Sequence, residues 1–251
     1  MNVLARPILG FALLSLGLAP AAQAMTVQPV VLDLQPVGRA MSQVVTVENT
    51  FTNPLPIEMR IGAVTFDEAG AHPTDKDPGD LLVFPPQALI QPGQTQSFRV
   101  QYVGDPRLSI SKHYYVTAAQ LPVKMPEGQT AIQILYNFQI LVSVAPPGGR
   151  PDLQIKAAEI GLNDKGEPIP VITLANNAPT YGYLSAGRLR IVERDASGKE
   201  VFRRNIPGPE LQQAIGFGLV AAGQTRKIQI PLVLPTQGGR LEAQFTPDTP
   251  R

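Results

Sequence analysis

The chain has 251 residues, 21 Lys and Arg against 20 Asp and Glu, 26 prolines, 22 glycines, two histidines and neither cysteine nor tryptophan. A near-neutral charge without a basic run argues against nucleic-acid binding. The missing thiols remove cysteine catalysis, disulfides and the usual structural zinc sites.

Residues 1–24, MNVLARPILGFALLSLGLAPAAQA, have the layout of a signal peptide. Arg6 supplies the positive start, Ile8 to Leu18 the apolar stretch, and Ala22-Gln23-Ala24 the small-x-small site. Export with cleavage after Ala24 is expected. A membrane anchor fits less well, because the apolar run is shorter than ~18–20 residues and Pro20 follows it. No later apolar run is long enough to span a bilayer, so stable membrane insertion is not expected. The remainder, 25–251, carries 20 basic and 20 acidic groups. Its length suits one large or two ordinary domains.

Along this part, short alternating or β-branched runs follow one another. Val44 to Asn49, Ile57 to Ile61, Leu81 to Phe84, Ser97 to Tyr102 and His113 to Thr117 read as strands. Gln91-Pro92-Gly93-Gln94 reads as a turn with Pro and Gly at its central positions. The last run, AIQILYNFQILVSVAPP at 131–147, is long for a strand. Ile132, Ile134, Tyr136, Phe138, Ile140, Val142 and Val144 share one apolar face. Placed at a sheet edge, such a strand is an aggregation hazard. About seven strands between residues 27 and 145 make an immunoglobulin-like sandwich the economical architecture.

Ala145-Pro146-Pro147-Gly148-Gly149-Arg150-Pro151 then reads as a short interdomain linker. Beyond it, 153–157, 169–174, 188–192 and 227–230 look like strands, and Asn163 to Gly166 and Asp195 to Gly198 like turns. Pro209 to Gln213 has the makings of a helical turn. The organisation expected is all-β: 1–24 signal peptide, 25–147 an N-terminal immunoglobulin-like domain, and 148–251 a second β-sandwich, set at an angle.

Chemistry is sparse. His72 and His113 lie in different contexts and cannot assemble a metal cluster, and neither a metal nor another cofactor is expected. No Gly-x-Ser-x-Gly elbow occurs. Gly216-Phe217-Gly218 lacks the spacing and the strand-to-helix context of a nucleotide loop. The acidic stretch Asp75 to Asp80 reads as a solvated surface loop rather than a calcium site. Nothing argues for an enzyme.

Several stretches are similar, in order and spacing, to the periplasmic chaperones of the chaperone–usher pilus pathway (PapD-like). VVTVENT at 44–50 resembles the family's second strand ending in Asn, here Asn49. NPLPIEMRI at 53–61, FPPQALIQPGQTQSFRV at 84–100 and HYYVTAAQLP at 113–122 follow as they do there, with Gln120 replacing an acid. TLANNAPTYGYL at 173–184 resembles the second domain's Asn-Asn-x-Pro-x-Tyr signature. The resemblance covers essentially the whole exported chain.

It implies a non-enzymatic periplasmic chaperone that completes the fold of pilus subunits by donor-strand complementation and delivers them to an outer-membrane usher. On this resemblance Ile132, Ile134, Tyr136 and Phe138 are the donated side chains, and Ile140 to Val144 lie deeper, towards the chaperone's own core. The better-known members hold the subunit's terminal carboxylate with basic residues at positions that here fall near Asp33 and Leu141, neither of them basic. Arg99 is the candidate replacement in the cleft, with Arg150 and Lys156 behind it. These departures point to a divergent, archaic-type member. The short connection from Val123 to Thr130 argues against the long-loop subclass. The free form is a candidate for self-association through the same edge. The rival from another class is a secreted two-domain adhesion or carbohydrate-binding module using Tyr181 and Tyr183, which the absence of tryptophan weakens.

Overall fold

The structure, a computed structural model, describes residues 25–123 and 134–248. The expected leader, its cleavage site and Ile132 lie outside them.

The first sandwich is built from ten strands: β1 (Met25–Gln28), β2 (Val31–Leu34), β3 (Ser42–Asn49), β4 (Leu55–Phe66), β5 (Ala71–Pro73), β6 (Leu81–Phe84), β7 (Gln87–Ile90), β8 (Thr95–Tyr102), β9 (Lys112–Gln120) and β10 (Asn137–Val144). One sheet runs β1-β3-β8-β6 and the other β2-β10-β9-β4, with β5 and β7 both paired to β4. The alternation that marks these strands in the sequence is their burial pattern. Val45 and Val47, Phe98, Val100 and Tyr102, Tyr114 and Val116, and Ile140, Val142 and Val144 meet between the sheets. The turn at Gln91 to Gln94 is present, with Gly93 at φ 72° and Gln94 N–H donating to Gln91 O at 3.0 Å.

The second sandwich contains β11 (Leu153–Leu162), β12 (Pro168–Asn176), β13 (Gly182–Tyr183), β14 (Gly187–Arg194), β15 (Glu200–Ile206), β16 (Leu219–Val220), β17 (Thr225–Gln229) and β18 (Arg240–Pro247). Sheets β11-β12-β17 and β15-β14-β18, with the small pair β13-β16, enclose Ile172, Leu174, Leu184, Leu189, Ile191 and Leu241. The helical turn expected at Pro209 to Gln213 belongs to an eight-residue helix, α1 (Gly208–Ile215). Pro209 sits in its first turn, where a missing N–H costs nothing. Gly216 ends it at φ 70°, so the Gly216-Phe217-Gly218 stretch is a helix exit. Two immunoglobulin-like sandwiches, as the strand count predicts, therefore make up the molecule.

Two features decide where function can sit. β10 pairs with β9 along its whole length, from Asn137↔Ala119 to Val144↔Lys112. On its other side β2 runs parallel and covers only Leu141 to Val144. The second feature is the junction between the sandwiches, which meets the outer face of the β2-β10-β9-β4 sheet at the end nearest the linker.

Candidate functional site: an open strand edge beside an interdomain cleft

Asn137 to Ile140 of β10 have an unpaired edge, because β2 begins opposite Leu141 and Val30 O is already taken by Leu141 N–H at 3.0 Å. The residues leading into β10 are apolar and exposed. Ile134 is 69% exposed, Leu135 43% and Tyr136 36%. Tyr136 is fixed at the entrance to the strand. Its carbonyl accepts from Gln120 N–H at 3.0 Å, its N–H donates to Gln120 Oε1 at 3.2 Å, and its ring lies 5.7 Å from that of Phe51. Phe138 is half-buried against the core, whereas Ile140, Val142 and Val144 are wholly buried. The apolar face seen in the sequence thus divides within one strand.

The expected strand is described from Ile134 onward. Regular pairing starts at Asn137, and Ile134 and Tyr136 lie in the extended approach to it. An apolar recess of about 780 Å³ lies alongside, lined by Phe51, Pro54, Leu89, Leu121, Ile134 and Leu135 among others.

The outer face of the same sheet floors the cleft. The inward positions of β2 are Leu32 and Leu34, so Asp33 faces outward, in register with Ser143. Beside them stand Leu141 opposite Tyr115, and His113 opposite Ser143. The second sandwich reaches this face through its Tyr181 and Tyr183. Both hydroxyls donate to the same atom, Asp33 Oδ1, at 2.6 and 2.8 Å. Burial, together with the neighbouring Asp33 charge, pushes both phenols far above their ordinary values, so they remain donors. Five rings continue the contact across the junction: Phe66, His113, Tyr181, Tyr183 and Phe217, with successive centroids 5.0, 5.2, 5.2 and 5.5 Å apart.

His113 bonds Ser143 Oγ through Nδ1 at 2.9 Å, and its Nε2 is buried without a partner. Desolvation lowers its pKa from 6.5 to about 4, so it is neutral near pH 7. Ser111 adds three links to the second sandwich: its N–H donates to Pro179 O at 2.9 Å, and its Oγ donates to Thr180 Oγ1 at 3.4 Å and accepts from Tyr181 N–H at 3.2 Å. On the other flank the β4–β5 hairpin meets β17. Lys227 N–H donates to Glu68 O at 2.7 Å, and the Arg226 guanidinium lies on Gly70.

These placements revise several expectations. Tyr181 and Tyr183 are committed to the junction and offer no exposed aromatic platform for a sugar. Arg99 does not reach the cleft. β8 belongs to the opposite sheet, where Phe98 and Val100 point inward and Arg99 points to solvent between Val44 and Phe84. Alternation gave its face correctly only relative to its own sheet. Lys156 bonds Gln154 at 3.0 Å, and Arg150 is exposed in the linker. Asp80, in the acidic loop, binds Lys112 at 2.8 Å and Tyr114 at 2.7 Å. Its burial works to raise its pKa, but these donors outweigh that and hold it below the usual carboxylate range. No group of three potential metal ligands occurs among the described residues. The junction residues Asp33 and Ser143 carried no sequence signal as a pair, because they come together only through the parallel β2–β10 register.

Residues 25–149 match the model of the N-terminal domain of PapD, the pili and flagellar-assembly chaperones. The class 5 fimbriae chaperone CfaA superposes with a TM-score of 0.52 at 15% identity, covering 88% of this chain and 99% of that one. A chain of the chaperone–tip adhesin complex of CFA/I fimbriae biogenesis gives 0.51 at 15%, with 92% and 100% covered. A chain of the archaic CsuC–CsuE chaperone–tip subunit complex of Acinetobacter baumannii gives 0.50 at 14%, with 88% and 97% covered. At these identities the likeness is one of fold. No curated protein sequence matches the chain.

Proposed function

Because the chain belongs to the family of pili and flagellar-assembly chaperones, we propose that it binds newly exported pilus subunits in the periplasm, completes their fold with β10, and delivers them to an outer-membrane usher. The open edge at Asn137–Ile140, with the exposed apolar residues Ile134 to Tyr136 ahead of it, carries this reading. A partner lacking a strand gains backbone hydrogen bonds along that edge and side chains for its groove. Each large apolar side chain so buried contributes roughly 1.5–3 kcal/mol, part of which association and ordering take back. Ile132, Ile134, Tyr136 and Phe138 are the donated set in this proposal. The solved chaperone–tip complexes CsuC–CsuE and that of CFA/I biogenesis give it a precedent in the fold. The departures at Asp33 and Leu141 are in keeping with a divergent, archaic-type member.

Periplasmic co-expression with a pilus subunit from the same source tests the proposal. A one-to-one complex is expected, and it should be lost when Ile134 and Tyr136 are both changed to Asp. Full capture by that double variant would rule out β10 as the donated strand.

A further inference from the structure

His113 belongs to the first sandwich, but part of its cover belongs to the second. The residue is 6% exposed. On one side its ring meets Phe66 at 5.0 Å, and on the other Tyr181 of the second sandwich at 5.2 Å. Nδ1 bonds Ser143 Oγ at 2.9 Å, and Nε2 is buried without a partner. Ser143 is itself fully buried and also touches the Tyr183 hydroxyl. A second proton on the ring makes both nitrogens donors, and the closed junction has an acceptor for only one of them. The other would be a charged donor buried without a partner, which is costly. Phe66 and Ser143 are built into the same sandwich as His113. Water therefore reaches Nε2 when Tyr181 and its sandwich move away.

The charged and titratable groups around His113 do not supply the missing acceptor. Asp33 on β2 is in register with Ser143, one strand further across the sheet, and its Oδ1 already takes both phenols. Asp80 lines the same recess of about 380 Å³, but it is bound by Lys112 at 2.8 Å and Tyr114 at 2.7 Å. Tyr115, two residues along β9, interacts with the half-buried Arg226 of β17, which adds positive charge to the junction. β4 faces His113 with apolar side chains, Val64 and Phe66. Among the described residues His113 has no carboxylate within 4 Å, whereas the exposed His72 has Asp67 at 2.9 Å. The contacts that keep Tyr181 in place lie close to it: the two phenol bonds to Asp33 and the links from Ser111 to Pro179, Thr180 and Tyr181. The contact of Lys227 N–H with Glu68 O, at 2.7 Å, stands apart on the other flank.

We propose that His113 is an acid-operated latch of the junction: on taking up a proton it drives the stretch from Pro179 to Tyr183 off the first sandwich, while both sandwiches stay folded. The phenol and Ser111 contacts yield, and the hairpin contact of Lys227 with Glu68 serves as the pivot. Burial holds the imidazole at about 4 in the closed junction, against 6.5 when it is exposed. The closed form therefore keeps its full advantage above pH 6.5 and loses it as pH falls towards 4, on the order of a hundredfold in the closed-to-open ratio. The latch works whether or not β10 carries a partner. Small-angle scattering and far-ultraviolet circular dichroism of the purified protein, between about pH 7.5 and about pH 4.5, test it, with the His113 ring followed by NMR. Wild type should widen as the pH falls, with its β signal unchanged and in step with the titration of His113. His113→Phe keeps the ring contacts without the proton and should stay closed throughout. His113→Gln should do the same, and it takes over if the Phe variant does not fold. Opening of the folded variant at the same pH as wild type would overturn the proposal and pass the acid response to another group, such as Asp33. A wild-type profile that stays unchanged, or widens only as the β signal is lost, would overturn it as well.

Discussion

At the scale of single residues, buried polar groups with definite tasks explain much of the sequence. Asn49 closes the turn after β3, donating to Asn53 O at 2.9 Å and Ile90 O at 2.8 Å and accepting from Phe51 N–H at 2.9 Å. Asn176 repeats the device at the end of β12. Its amide donates to Thr180 O at 2.8 Å and Val220 O at 3.1 Å, and its oxygen accepts from Ala178 and Asp152 N–H, each at 3.2 Å. Asn176→Ala should therefore cost about 2–4 kcal/mol in urea unfolding, because it strands buried backbone groups. His113 predicts an acid sensitivity. Its folded pKa of about 4 lies below the unfolded 6.5, so the unfolded chain takes up a proton that the native state refuses. Stability from this group is complete above pH 6.5 and is lost as pH falls towards 4, by about 3 kcal/mol in all. His113→Gln should flatten that part of the pH–stability curve, and parallel curves for the two proteins would refute the account.

At the scale of the element, β10 joins two environments. Ile140, Val142 and Val144 are fully buried between the sheets and hold the first sandwich together. The approach at Ile134 to Tyr136 adds little to that core. Ile140→Ala should destabilise the protein by about 2–5 kcal/mol. Ile134→Ala should change stability by less than about 0.5 kcal/mol. Equilibrium unfolding of the two variants checks the division. An unpaired apolar edge is normally blunted with charge, proline or a bulge. Between Ile134 and Ile140 none of these devices is present, as the proposed donation to a partner requires.

At the scale of the whole molecule, the sandwiches meet through the Asp33–tyrosine–His113 cluster, the Ser111 hydrogen bonds to Pro179, Thr180 and Tyr181, and the hairpin against β17. Tyr181→Phe with Tyr183→Phe removes both hydrogen bonds to Asp33 while keeping the ring contacts. The two sandwiches should stay folded, while small-angle scattering should show a wider spread of interdomain arrangements. An unchanged scattering profile would place the control of the angle in the Ser111 and hairpin contacts instead.

How much of this was legible beforehand follows from the range of the interactions. Strand alternation, the turn at Gln91 to Gln94, the proline-rich linker and the apolar face of β10 are local patterns, and local sterics and burial fix them from sequence alone. The two-sandwich architecture follows, because strands of that length and spacing have few other ways to bury one face. Edge elements such as the short β1, β5 and β16 and the eight-residue β18 escaped notice, since pairing across the fold rather than composition makes them strands. The site depended on more distant relations. Periodicity said that Arg99 points away from Phe98 and Val100, but only the sheet order shows that this direction leads to solvent and not to the cleft. Likewise Asp33, Tyr181 and Tyr183 are about 150 positions apart in the chain. Their meeting is decided by the parallel β2–β10 register and the docking of two domains, long-range packing on which no local stretch of sequence has a vote.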